Sequence, residues 1–160
     1  MDPLAQQIGA LLKSKNARLA VAESCTGGLI AKLVTDIAGS SDWFERGLVT
    51  YSNLAKQDLL GVSEDVLAHF GAVSRECADA MARGLMVMTP ADWGIAVTGI
   101  AGPGGGSPDK PVGLVWLAWI RRGVAAEVEA FQFSGSREQI RTAAAAAALS
   151  GLLERLQKLP

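Results

Sequence analysis

The chain has 160 residues, 49% of them hydrophobic, and carries 15 lysines and arginines against 16 aspartates and glutamates. This length and apolar content predict one domain over residues 1–160 with a real core and no linker. The near-balanced, interspersed charge excludes the basic footprint of a nucleic-acid binder, the first residues lack a charged-then-apolar signal pattern, and no apolar run approaches membrane-spanning length. A cytoplasmic protein with a small-molecule ligand, and neither nucleic acid nor membrane as partner, is expected.

Cys25 and Cys77 make neither a disulfide framework nor a metal cluster, so both are expected as free thiols and no metal site is expected. The single histidine, His69, would have to serve any Ser-His-Asp or Cys-His site. Its place near the end of the stretch Glu64-Asp65-Val66-Leu67-Ala68-His69-Phe70-Gly71 reads instead as a helix C-terminal residue favoured by the dipole. Acid–base chemistry then falls to Lys, Tyr, Asp or Glu.

Taken in order, Asp2-Pro3 reads as a helix opening with Asp2 as the capping carboxylate, and Leu4, Ile8, Leu11 and Leu12 line one face. Residues 18–22 read as a short buried strand, and Leu29, Ile30, Leu33, Val34 and Ile37 recur at helix spacing toward an end near Ala38-Gly39-Ser40. The stretch Ala22-Glu23-Ser24-Cys25-Thr26-Gly27-Gly28 is therefore a strand-to-helix turn. Such a turn gathers backbone N–H groups and the positive end of a helix dipole, which suits an anion or a developing oxyanion. The plainer alternative is that Ser24 or Thr26 caps the helix and the glycines turn the chain.

Trp43 and Phe44 come next, either packed locally or exposed to a partner. Residues 47–51 read as a second strand, closed by Tyr51, and Ser52-Asn53 as the cap of a helix with Lys56 in its early turns. Taken singly, Lys56 reads as a solvated lysine and Tyr51 as a half-buried ring. Ser63 begins a short helix and Ser74 a longer one, whose stripe is Ala78, Met81, Leu85 and Met88 with Ala82 and Met86 beside it.

Residues 93–97 form the third strand and run into Thr98-Gly99-Ile100-Ala101-Gly102-Pro103-Gly104-Gly105-Gly106-Ser107-Pro108. Such a loop lets backbone N–H groups approach an anion, although its order fits neither a Walker loop nor a dinucleotide fingerprint. Residues 111–120 are apolar on both alternations, a central strand, and residues 124–133 are its antiparallel partner nearer an edge. A helix from about Ser136 to Leu156 closes the chain, with alanines at 143–148 for close packing and Arg137 and Arg141 one turn apart, either solvated or holding a phosphate. The fold class expected is α/β, a single layered domain with a mixed β-sheet, helices on both faces and the site at strand ends.

Three stretches together carry a resemblance. Glu23-Ser24-Cys25-Thr26-Gly27-Gly28, then Thr50-Tyr51-Ser52-Asn53 with Ala55-Lys56, then Val97-Thr98-Gly99-Ile100-Ala101-Gly102-Pro103 with Gly105-Gly106 and Lys110-Pro111-Val112-Gly113, resemble the CinA carboxy-terminal domain family in this order and spacing. The resemblance covers essentially the whole chain and implies its stand-alone form. It implies nicotinamide-nucleotide amidase activity, also called NMN deamidase: hydrolysis of the carboxamide of nicotinamide mononucleotide to nicotinic acid mononucleotide and ammonia, in pyridine-nucleotide salvage. It further implies no cofactor, a homo-oligomer, Ser24 as nucleophile, and Tyr51 and Lys56 assisting it.

The chemistry is consistent with those residue types, because a serine needs a base to attack an amide and a lysine with a depressed pKa can serve. Backbone N–H groups around Thr26, Gly27 and Gly28 are expected to stabilise the oxyanion. The loop carrying Thr98, Gly99, Ile100, Ala101, Gly102 and Gly105 is expected to border the nucleotide, with Arg141 or Arg137 at its phosphate. Cys25 is a rival nucleophile beside Ser24, and adjacent residues of a turn point in different directions, which favours one of the two. The alternative reading is a non-catalytic nucleotide-binding or assembly module with the same loops and a protonated Lys56.

Overall fold

Leu19–Glu23 (β1) is buried at all five positions and Trp93–Gly99 (β3) at all but its last, the mark of strands covered on both faces. In the computed structural model, which describes residues 1–160, both are central to one sheet. Phe44–Val49 (β2) and β3 flank β1 in parallel, while Leu114–Arg121 (β4) and Glu127–Gln132 (β5) add antiparallel, giving the order β2-β1-β3-β4-β5. The expected mixed sheet is the one observed, and no helix is long and apolar enough to cross a membrane.

Alternation along the strands sends their side chains to two different cores. Leu19 and Val21 of β1, Ile95 and Val97 of β3 and Leu117 and Trp119 of β4 pack beneath Asp2–Ser14 (α1), Leu29–Thr35 (α2) and Arg137–Gln157 (α6). The opposite side of the same strands is a row of small residues, Ala20, Ala22, Ala96 and Ala118, beneath Asn53–Leu60 (α3), Glu64–Phe70 (α4) and Arg75–Met88 (α5). Alanines let α5 lie close to the sheet. On the other face Trp119 fills the space over Gly151, where an added Cβ would come within 2.3 Å of the ring, and its Nε1 donates to Ala148 O at 2.8 Å.

Several boundaries differ from the sequence reading. Met1 occupies the N-cap position of α1, so Asp2 stands in the first turn and caps nothing. Helix α2 stops at Thr35, because Ile37 N–H bonds to Val34 O, an i to i−3 contact that ends the α pattern before Ala38. Strand β2 starts at Phe44 and leaves Thr50 and Tyr51 beyond its end. Strand β4 starts at Leu114, since Gly113 adopts a φ of 93° that breaks the extended run. Trp43 is 2% exposed and packs over Gly9 of α1, so it is neither packed locally nor exposed to a partner but buried against a helix distant in sequence. Met88, placed in the stripe of α5, is 51% exposed.

Because β1, β2 and β3 are parallel, their C-terminal ends lie at one edge of the sheet, with the turn after β1, the link from β2 to α3 and the glycine loop after β3 side by side. Helix α3 is held there by close approach to α5: a Cβ added at Gly84 would sit 1.8 Å from Leu60 O. Gly84→Ala should therefore lower stability by about 1–3 kcal/mol, overcoming the roughly 1 kcal/mol that alanine gains in a helix. Urea unfolding measures it, and a midpoint equal to or above the parent's would mean that α3 yields freely.

Candidate active site

The turn after β1 is fastened by a residue that the sequence reading passed over. Glu23 is 1% exposed, and its carboxylate accepts the N–H groups of Ile30 at 2.9 Å and Ala31 at 3.0 Å. Glu23 thus caps α2, and neither Ser24 nor Thr26 does; the N-cap position itself is Gly28, with a φ of 99°. An acidic side chain beside the positive end of a helix was the available signal. Ser24, next in the chain, donates its N–H to Val97 O at 3.0 Å and is thereby tied to β3.

The second motif meets it there. Ser52 accepts the Ala55 N–H and caps α3, whose first turns aim Lys56 inward until only 1% of the residue is exposed. Lys56 Nζ lies 3.0 Å from Ser24 Oγ, 2.9 Å from Thr50 O and 3.1 Å from Tyr51 O. All three partners are neutral. Burial pushes the Lys56 ammonium below its ordinary value of 10.5, and the nearby Cys77 and Cys25 oppose this only in part. The geometry accommodates both states: the ammonium donates to the Ser24 hydroxyl and both carbonyls, while in the neutral amine two hydrogens go to the carbonyls and the lone pair can accept the Ser24 hydroxyl. The only other acceptor for that hydroxyl is Tyr51 O, at 3.5 Å.

Beside this pair opens a cavity of about 290 Å³, at the small end of ligand sites. Ser24, Tyr51 and Lys56 line it together with Thr98, Gly99, Ile100, Ala101, Gly102 and Gly105. Tyr51 is 59% exposed and its hydroxyl accepts from Arg137 Nη2 at 3.0 Å, so what it gives Lys56 is its main-chain carbonyl. Thr98 is 1% exposed and donates its hydroxyl to Ala72 O at 2.7 Å, bracing the end of β3. Arg137 also lines the cavity, and its Nη1 donates to Gly102 O at 2.8 Å.

Thr26, Gly27, Gly28 and Arg141 do not border the cavity. Thr26 is wholly buried, and Arg141 donates Nε to Cys25 O at 3.0 Å and Nη2 to Thr26 O at 2.9 Å. Of Arg137 and Arg141, only Arg137 therefore borders the cavity, and Arg141 is engaged by the turn. Asn53, which the sequence offers as part of a cap and of the second motif, lines the cavity from the start of α3. His69 lies outside, its Nδ1 2.8 Å from Asp65 O within α4.

Cys25 and Cys77 are free and buried, and desolvation pushes both thiols up to about 11. Cys25 borders the cavity but is held as a thiol, whereas Ser24 Oγ lies beside the Lys56 amine.

Residues 1–156 match the family model described as the CinA C-terminal domain. The chain is 51% identical over 158 residues to nicotinamide-nucleotide amidohydrolase PncC of Enterobacter agglomerans, covering 99% of this chain and 96% of that one. It is 49% identical over 149 residues to the protein of the same name from Escherichia coli K12, covering 93% and 90%. A CinA-like protein of Syntrophotalea carbinolica is 52% identical over 158 residues, and there the chain spans only 38% of the longer relative. The solved structure of competence/damage inducible protein CihA from Agrobacterium tumefaciens superposes with a TM-score of 0.94 at 46% identity, covering 98% of this chain and 95% of that one.

Two measurements follow from the burial of these groups. Iodoacetamide at pH 8 should label neither cysteine of the native protein and both after denaturation; rapid native labelling of Cys25 would mean a reactive thiol. For Lys56, whose folded pKa is depressed, the unfolded chain holds the extra proton between the folded value and 10.5, so stability rises with pH across that window. Lys56→Met should flatten that rise in denaturant titrations, and an unchanged slope would refute the shift.

Proposed function

The chain belongs to the CinA C-terminal domain family, and on that premise we propose that it is a nicotinamide-nucleotide amidohydrolase working through an acyl-enzyme on Ser24 with Lys56 as the base. Its substrate is nicotinamide mononucleotide, and its products are nicotinic acid mononucleotide and ammonia. The observation that carries this reading is a buried lysine without a carboxylate partner, its Nζ 3.0 Å from a serine Oγ at the wall of a cavity.

In the first half-reaction Ser24 Oγ attacks the carboxamide carbon while Lys56 Nζ takes the hydroxyl proton. Thr50 O and Tyr51 O, already in contact with Nζ, then hold two hydrogens of the ammonium and direct the third toward the reacting centre. As the tetrahedral intermediate collapses, the C–N bond breaks and that proton leaves with the amine as ammonia. Water repeats the sequence on the ester: Lys56 takes its proton, the bond from carbon to Ser24 Oγ breaks, and the serine recovers its hydrogen. One lysine is base and acid in turn.

The nucleotide's phosphate belongs with the glycine loop. Ala101, Gly102, Gly104 and Gly105 border the cavity, and their N–H groups donate to no protein acceptor, while Gly102 and Gly105 have φ angles of 76° and 86° that only glycine adopts readily. Arg137 stands beside them with a guanidinium edge still available. Self-association, which the family resemblance implies, and a cytoplasmic location, which is expected from the sequence pattern, belong to this proposal.

The decisive experiment is ammonia release from nicotinamide mononucleotide. Wild type should turn over, and Ser24→Ala and Lys56→Ala, folded by circular dichroism, should lose at least ~10³-fold in kcat/KM. Because the neutral amine is the active form, kcat/KM should rise with pH through the depressed Lys56 value and level off below 10.5. A silent wild type that still binds the nucleotide would instead make the protein a non-catalytic module.

A further inference from the structure

The tetrahedral intermediate needs donors for its oxyanion, and the obvious source is already occupied. In α2 the N–H groups of Ile30 and Ala31 are bound by Glu23, and that of Leu29 by Thr26 O at 3.0 Å. The N–H of Gly27 is bound by Ser24 O at 3.0 Å. Within the turn, the N–H groups of Cys25, Thr26 and Gly28 donate to no other residue, that of Cys25 meeting only its own thiol, and of these three residues only Cys25 borders the cavity.

The peptide units on both sides of that N–H are fixed. In a trans peptide the C=O and N–H point in opposite directions. Ser24 O is turned inward to Gly27 N–H, so the Cys25 N–H of the same peptide points outward from the turn. The following carbonyl, Cys25 O, and the next, Thr26 O, are both gripped by the Arg141 fork. The preceding N–H, that of Ser24, is bound to Val97 O. One donor is left, next to the nucleophile in sequence, and it cannot reorient without breaking bonds on either side. That is the preorganisation which makes a backbone donor effective.

We propose that the Cys25 N–H is an oxyanion donor of the amidase and that Arg141 is its positioning residue, holding the turn by the Cys25 and Thr26 carbonyls. This rests on the amidase reading above. It separates Arg137 and Arg141 by task, Arg137 toward the ligand and Arg141 toward the backbone that carries the nucleophile.

The test deletes the N–H without changing the side chain. Lactic acid at position 25, which replaces the amide N–H by an ester oxygen, is compared with Cys25→Ala, which has the same methyl side chain. The ester should lower kcat by ~10²–10³-fold relative to Cys25→Ala with little change in KM, as loss of one oxyanion donor does elsewhere. Arg141→Ala should lower kcat more than it raises KM, and added ethylguanidinium should restore part of kcat while Arg141→Lys, lacking the fork, does not. Equal kcat for the ester and Cys25→Ala, or an Arg141→Ala effect confined to KM or untouched by guanidinium, would overturn the proposal while leaving the amidase reading in place. A wild type that releases no ammonia would overturn both.

Discussion

Everything at the site depends on one buried amine without a counter-ion. Lys56 is almost wholly enclosed, and its partners are a hydroxyl and two main-chain carbonyls. Desolvation of a charge that no carboxylate offsets favours the uncharged form, whereas a carboxylate in contact would have stabilised the ammonium. The two carbonyls serve both states. They accept two hydrogens from the neutral amine and two of three from the ammonium, so the proton can come and go without leaving a buried donor unpaired.

The fold supplies this arrangement through its parallel half. Ser24 follows β1, and Thr50 and Tyr51 follow β2, so the hydroxyl and the two carbonyls come from neighbouring strand ends. The amine arrives from α3, whose height above the sheet is set by Gly84 on α5, itself seated on the alanines of β1, β3 and β4. Small residues are therefore the structural condition for the chemistry: larger side chains at Ala22 or Ala96 would lift α5 and α3 away from Ser24.

The sheet class, the two-faced packing and the strand-to-helix turn after β1 were legible in the sequence because each follows from a local pattern. The stretch 19–22 is apolar throughout, Ser52 precedes a helix by its capping chemistry, and glycines crowd the end of β3. The meeting of Ser24 and Lys56 was legible only from three motifs taken jointly, since Lys56 alone reads as a surface lysine; its burial is a property of α3 against α5. The roles of Arg137 and Arg141 were not legible. They lie one turn apart on α6, and only the position of the turn after β1 makes Arg141 reach carbonyls while Arg137 reaches Tyr51 and Gly102. Trp43 escaped for a similar reason, because its burial depends on Gly9 from a distant helix.

Glu23 changes how the helix dipole enters the mechanism. A strand-to-helix turn suggests an anion at the helix N-terminus, but here the protein places its own carboxylate there, bound to two of the free N–H groups. The positive end of α2 is thus partly neutralised and sterically closed to substrate. This removes a source of attraction for the phosphate near Ser24, where a dianion would mispair with the nucleophile. The unpaired N–H groups of the glycine loop and the cation of Arg137 stand at another wall of the cavity. Under the amidase proposal, phosphate held there and carboxamide at Ser24 places both ends of the nucleotide beside donors. Under the same proposal, the capped helix disfavours the reverse pose, because Glu23 already occupies the N–H groups that would draw a phosphate to Ser24.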